Sequence, residues 1–297
     1  MSMYYPISYQ EPLFRPPSEA YSLILQPTVG CSWNRCAFCE MYTTKKFSIR
    51  DIAEVKQEIR SMGEYQDRVK KVFLADGNAM TLPADYLMEL LHELHNTFPR
   101  LVRVSIYALP KDLSKKTAQE LIMLREAGLK LIYVGLESGD DEVLQMVNKG
   151  ETRASSIEGL KKAKEAGIKS SVMILSGLGG RTYSHQHAVN SAAVVNETQP
   201  EFLSTLVLSY PHGIDHFKKK FRGDFEPCEI TDLLQELKTF ISHTALGQTT
   251  FRSDHASNYL ILKGTLGREK DRLLNEIDAA LDHPGSAALR PEWLRGL

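Results

Sequence analysis

The chain has 297 residues, 42% of them hydrophobic and 25% charged, with a formal net charge of −1. That balance is ordinary for a folded globular protein and excludes disorder, and near-neutrality gives no overall pull toward nucleic acid. No apolar run approaches the roughly 18 residues needed to span a bilayer, and the opening Met1-Ser-Met-Tyr-Tyr-Pro6 lacks the basic flank and apolar core of a secretory signal. In chain order, residues 1–20 are rich in Pro and Tyr and read as an ordered arm. Short apolar runs at 21–25, 71–75, 102–107, 129–134, 169–175 and 202–208 read as strands. Helical patterns at 51–62, 84–96, 114–127, 155–166 and 183–196 lie between them, and a further one covers 231–245. Leu87, Leu90, Leu91 and Leu94 form one apolar stripe at helical spacing, which predicts core.

Strands alternating with helices at this spacing predict βαβ units around a parallel sheet. Six units predict an α/β fold, a partial (β/α)6 barrel of the TIM type over residues 21–246, with chemistry at the C-terminal ends of the strands. Leu124-Arg-Glu-Ala-Gly-Leu-Lys130 and Ala163-Lys-Glu-Ala-Gly-Ile-Lys169 are near copies, each with Gly where a left-handed helix cap is needed. Residues 247–297 read as a short extension packed on that core. Their run Phe251-Arg-Ser-Asp-His-Ala-Ser-Asn258 is polar and strand-poor, 259–262 is again apolar, and a charged helix over 268–282 ends at Pro284-Gly285.

Three of the four cysteines fall in Gly30-Cys-Ser-Trp-Asn-Arg-Cys-Ala-Phe-Cys39, directly after the first strand-like run. Three crowded cysteines make no disulfide framework and suit a reducing, cytoplasmic setting. Three thiolates satisfy three irons of a [4Fe–4S] cubane and leave the fourth iron open for a ligand. The competing reading is a zinc knuckle, which needs four closed ligands. Cys228 is distant, no His stands close in sequence, and Cys228 itself reads as a solitary thiol. The nine histidines give no metal site: His185 and His187 are two apart near a helix start, and His212 and His216 are flanked by Pro211 and Gly213, which argue for loop. The basic run Lys218-Lys-Lys-Phe-Arg222 reads as solvated surface.

The cysteine run, with Phe38 before the last thiol, resembles the cluster loop of the radical S-adenosylmethionine (radical SAM) superfamily. It departs from the usual pattern in having four residues, not three, between the first two cysteines. The resemblance covers about residues 22–211. It implies that Cys31, Cys36 and Cys39 bind the cluster and that the open iron chelates S-adenosylmethionine. Reductive cleavage of that cofactor would then give a 5′-deoxyadenosyl radical that abstracts hydrogen from substrate. Ala75-Asp-Gly-Asn-Ala79 matches the family's glycine turn, so Gly77 would meet the amino group of the cofactor, its missing Cβ permitting close backbone approach. Asp76 and Asn78 depart from the commonest form and read as turn-capping residues.

Val134-Gly-Leu-Glu-Ser-Gly139 followed by Val147-Asn-Lys-Gly150 is similar to the part of the superfamily containing oxygen-independent coproporphyrinogen oxidases and methylthiotransferases. By that likeness Glu137 would accept from the ribose hydroxyls and Lys149 would meet the cofactor carboxylate. Leu175-Ser-Gly-Leu-Gly-Gly-Arg-Thr182 resembles the glycine turn beside the adenine pocket, which implicates Gly177; Met173 stands where some relatives carry an acid. A flavodoxin- or ferredoxin-like electron donor is implied. A small-molecule or cofactor substrate is favoured over RNA modification, because no broad basic face is evident, and over a non-enzymatic iron–sulfur or haem-handling role. His255 in the polar run is the candidate substrate contact, on the expectation that this run lines the barrel mouth.

Anaerobic reconstitution is expected to load about four irons per chain, with Cys31→Ala, Cys36→Ala and Cys39→Ala each losing iron and Cys228→Ala keeping it. Tight zinc without iron contradicts the cluster.

Overall fold

The structure, a computed structural model, describes residues 7–283, 285 and 289–296. It divides into two compact units, one built from residues 1–34, 39–134 and 162–169, the other from 35–38, 135–161 and 170–297. The first unit contains β1 (Leu23–Leu25), β2 (Thr28–Val29), β3 (Ser48–Ile49), α1 (Ile52–Ser61), β4 (Lys71–Leu74), α2 (Ala84–Thr97), β5 (Arg103–Ala108), α3 (Pro110–Ser114), α4 (Ala118–Glu126) and most of β6 (Leu129–Glu137). Its strands β1, β4, β5 and β6 run parallel in that order, and β2 and β3 form a separate antiparallel ribbon. Strands buried on both faces need nearly continuous apolar sequence, and β4 buries three of its four residues. The α2 stripe of Leu87, Leu90, Leu91 and Leu94 is buried as its spacing predicts.

The inner side of this unit is aromatic. Phe73 meets Tyr107 edge-on at 4.9 Å and Tyr133 at 6.0 Å, with Tyr9 and Leu13 packed on the same cluster. The N-terminal segment is fastened by polar contacts as well. Tyr9 donates to the Ile24 carbonyl at 2.8 Å, and the fully buried Glu19 accepts from Arg103 and from the Tyr133 hydroxyl, each at 2.6 Å.

The second unit contains the end of β6, α5 (Asp141–Met146), most of α6 (Arg153–Glu165), β7 (Lys169–Ser176), α7 (Gly180–Thr198), β8 (Phe202–Val207), α8 (Ile214–Lys220), α9 (Ile230–His243), β9 (Thr250–Ser253), β10 (Leu262–Thr265) and α10 (Lys270–Asp282). Here β7, β8 and β9 run parallel and β10 pairs antiparallel with β9. Gly128 and Gly167, the two predicted caps, have φ of +107° and +78°. Among the described residues no helix is long and apolar enough to cross a membrane.

Three segments differ from the sequence expectation. The helix expected over 114–127 begins only at Ala118, where Thr117 and Glu120 form a capping box that starts α4, and Ser114 instead ends α3. The run at 251–258 begins inside β9: Phe251 and Ser253 are buried and Arg252 is exposed, a period of two carried by one apolar residue. His216 lies within α8, since Gly213, at φ +83°, opens that helix. The stop expected at Pro284 lies outside the described residues.

Glu19→Ala leaves Arg103 and Tyr133 without their buried acceptor and is expected to cost about 3–5 kcal/mol, read as a lowered midpoint in thermal or urea unfolding. An unchanged midpoint contradicts the role given to this network.

Candidate functional site

In the first unit the turn after β4 and the start of the cysteine loop are matched residue to residue. The Asp76 side chain is fully buried, and its Oδ2 accepts from Gly30 N at 3.1 Å, Gln26 Nε2 at 3.0 Å and Lys45 Nζ at 2.6 Å. Gly77 lies on Cys31: a Cβ at position 77 would sit 2.6 Å from Cys31 Cα and Cβ. Asn78 Oδ1 accepts from Ser32 N at 2.9 Å, and its Nδ2 donates to Ser32 Oγ and Asp112 Oδ2, both at 2.8 Å. Asp76, Gly77 and Asn78 thus seat Gly30, Cys31 and Ser32 in turn. The Asp112 carboxyl is pushed up by burial, against the hydrogen bonds from Asn78 and Leu109. Asp76 Oδ1 and Asp112 Oδ1 are buried and meet no donor.

The longer spacer between Cys31 and Cys36 is taken up locally. Asn34 adopts φ +45°, a left-handed conformation that Asn tolerates better than most residues, and its Nδ2 donates to the Tyr42 carbonyl at 2.8 Å. Lys111 Nζ covers the Trp33 ring at 4.1 Å.

The second unit holds the other part of the loop. Ala37 N donates to the Val147 carbonyl at 2.8 Å, and Asn148 Nδ2 to the Arg35 carbonyl at 3.1 Å. Phe38 packs on an apolar cluster that includes Ala37, Val143, Val147, Leu175 and Leu178. Lys149 Nζ lies 5.6 Å from the Phe38 ring centroid and 3.2 Å from Glu137 Oε1, and both charged side chains are buried. Glu137 has φ +64°, rare for a residue with a Cβ. Its Oε2 is buried without a donor. Gly135 makes this possible: a Cβ there would lie 2.1 Å from Glu137 Oε1.

Gly177 has φ +80° and its N–H is accepted by Glu236 Oε1 at 2.8 Å. Cys228 is the neighbour of that turn, 4.0 Å from the position of a Gly177 Cβ. Burial first, then Glu236 and Asp232, push its thiol up to about 12. All four cysteines are half-buried. Met173 is half-buried on β7. Because β9 runs parallel to β8, the His255 loop leaves the sheet at the C-terminal end of β8. Ser257 Oγ there accepts from Val207 N at 3.2 Å and Asn258 Nδ2 donates to the Thr205 carbonyl at 2.8 Å. His255 Nδ1 contacts Ser257 Oγ at 2.9 Å, and burial and Arg290 lower the imidazole pKa.

The structure therefore brings Cys31 to Gly77, and Phe38 to Lys149 and Glu137. Sequence reasoning missed Lys45, Asp112, His187 and Glu236, whose partners are remote in the chain, and read Asp76 and Asn78 as local caps. Among the described residues no group of three or more His, Cys, Asp or Glu side chains is set as a metal site.

A model of the radical SAM superfamily matches residues 25–192, more than half of the chain, and the chain belongs to that superfamily. Its cofactors are those of the superfamily, a [4Fe–4S] cluster and S-adenosylmethionine. The heme chaperone HemW of Bacillus subtilis is 22% identical over 144 residues, covering 48% of this chain and 38% of that protein. A putative methylthiotransferase of Methanocaldococcus jannaschii is 24% identical over 148 residues, 47% of this chain and 32% of that one. The chain thus spans well under half the length of these relatives. The solved structure of coproporphyrinogen III oxidase from Escherichia coli superposes with a TM-score of 0.58 at 20% identity, over 74% of this chain and 52% of that one. This likeness shows the fold, the partial (β/α)6 barrel of radical SAM enzymes.

The residues present fit these groups. The loop offers three half-buried cysteines, the donor type that cubane clusters take. The orphaned oxygen of Glu137 suits a hydroxyl donor. Gly77→Ala is expected to push the loop off the turn, so that the variant folds but loses most of its iron on reconstitution. Full iron in that variant contradicts the close packing of Gly77 on Cys31.

Proposed function

We propose that this protein is a radical SAM enzyme that abstracts hydrogen from a small molecule or cofactor, and that the three loop cysteines hold its cluster. The cluster and S-adenosylmethionine supply, when bound, a carbon-centred radical made by reductive cleavage. The chain's own residues bind, aim and shield. Phe38 and the apolar residues around it cover one side of the cysteine loop and keep water from it. Gly77 gives close backbone approach for the amino group of S-adenosylmethionine, and Gly177 bounds the adenine. Glu137 accepts from the ribose hydroxyls, and Lys149 holds the Glu137 carboxylate and faces the cofactor's carboxylate. His255 contacts the substrate. Single electrons come from a flavodoxin- or ferredoxin-like protein.

The observation that carries this reading is Glu137. It sits in a left-handed turn at the end of β6, one oxygen paired with Lys149 and the other buried with no donor. A buried acceptor without a partner costs roughly 1–3 kcal/mol, and a ribose hydroxyl removes that cost.

Reconstituted protein with a low-potential reductant is expected to release 5′-deoxyadenosine from S-adenosylmethionine, and a true substrate, deuterated at the reacting carbon, to stimulate release and pass its deuterium to the 5′-deoxyadenosine. Glu137→Ala removes a charged acceptor worth roughly 1.5–3 kcal/mol, so cofactor affinity should fall at least about tenfold at unchanged iron content. Unchanged affinity in a folded Glu137→Ala variant removes Glu137 from the site.

A further inference from the structure

Helix α7 carries a buried polar stripe that none of the roles above uses. Ser184, His187 and Ser191 lie at i, i+3 and i+7, on one helix face. His187 and Ser191 are buried. Burying polar groups is costly unless they are hydrogen-bonded, and each of these has a specific partner. Ser191 Oγ accepts from Gly139 N at 2.9 Å, and His187 Nδ1 lies 2.8 Å from Ser138 Oγ. Both hold the turn that follows Glu137. Ser184 Oγ donates to Glu236 Oε2 at 2.7 Å, while Glu236 Oε1 accepts the Gly177 N–H and lies 3.8 Å from His187 Nε2. Glu236, on α9, thereby holds the Gly177 turn.

Ser138 Oγ also accepts from Asp140 N at 3.0 Å, so the hydroxyl that meets His187 Nδ1 is itself held by the turn after Glu137. The other ring nitrogen, Nε2, faces Glu236. One imidazole thus stands between the hydroxyl behind Glu137 and the carboxylate behind Gly177. It touches neither residue directly.

We propose that His187 is a positioning residue: it fixes the spacing between the Glu137 turn and the Gly177 turn, so that the ribose acceptor and the adenine turn meet S-adenosylmethionine together. This rests on the roles given above to Glu137 and Gly177. It would act through Ser138 and Glu236.

The test uses the full chain with its cluster loaded anaerobically. S-adenosylmethionine affinity is measured by equilibrium dialysis, and the change that the cofactor makes in the electron paramagnetic resonance signal of the reduced cluster is recorded alongside. His187→Ala is expected to weaken binding about tenfold, the scale of lost supporting hydrogen bonds around a bound group, with iron content unchanged. His187→Asn, which keeps a polar group at the Nδ1 position, should recover part of the loss; His187→Leu, which fills the space without hydrogen bonds, should not. Ser138→Ala and Glu236→Gln should each weaken binding about fivefold, and neither should add to His187→Ala, as expected for members of one network. Ser138→Ala removes a single hydroxyl and keeps the test open if His187 variants fold poorly. Wild-type affinity in His187→Leu, or full additivity of the three losses, overturns the proposal. If Glu137→Ala weakens binding while Ser138→Ala and the His187 variants do not, this inference falls alone; if Glu137→Ala binds normally, the site reading falls and this inference with it.

Discussion

A buried carboxylate is tolerated only where donors surround it, and the first unit is organised around that constraint at Asp76. Gln26, Gly30 and Lys45 converge on one of its oxygens, and these donors come from β1's exit, the start of the cysteine loop and the far side of that loop. The carboxylate therefore fixes where the loop begins. Asn78 repeats the arrangement two residues on with Ser32, and Gly77 between them lets the two backbones touch. The second unit uses the same economy of donors at Glu137, where Lys149 satisfies one oxygen only.

Apolar and polar fastenings are divided between the units. Phe225 packs edge-on against Phe217 and Phe221 with centroids 4.7 and 5.0 Å apart, a geometry aromatic rings favour, and all three belong to the cluster that receives Ala37 and Phe38. The N-terminal segment instead relies on Glu19, buried among Arg103, Tyr133 and Ser22. The His255 loop is held to β8 by Ser257 and Asn258 and to residues 290–295 by Arg290 and Arg295, which donate to its carbonyls. The polar side chains of Ser257 and Asn258 are thus accounted for by backbone partners.

Much of this was legible in the sequence because its signals are local. Apolar runs marked six of the seven parallel strands, most of their ends to within about two residues, a normal boundary error, and Gly128 and Gly167 announced their left-handed caps. The cysteine run named the superfamily, and its four-residue spacer contains the left-handed Asn34. What escaped was long-range. The clamp of Asp76 and Asn78 acts on residues 46 positions earlier, and Ser138 meets His187 49 positions later. Nothing in a turn's composition announces such partners. β9 was missed because only Phe251 carries its apolar pattern, and the break before α4 because a capping box within a helical stretch leaves the apolar rhythm almost intact.

The central claim is that three thiolates leave one iron open to S-adenosylmethionine. Mössbauer spectroscopy of protein reconstituted with iron-57 tests it directly, with spectra taken before and after the cofactor is added. The account predicts that one iron becomes distinct from the other three when S-adenosylmethionine binds. Irons that stay unchanged on addition of the cofactor, or a metal content that is zinc, would contradict it.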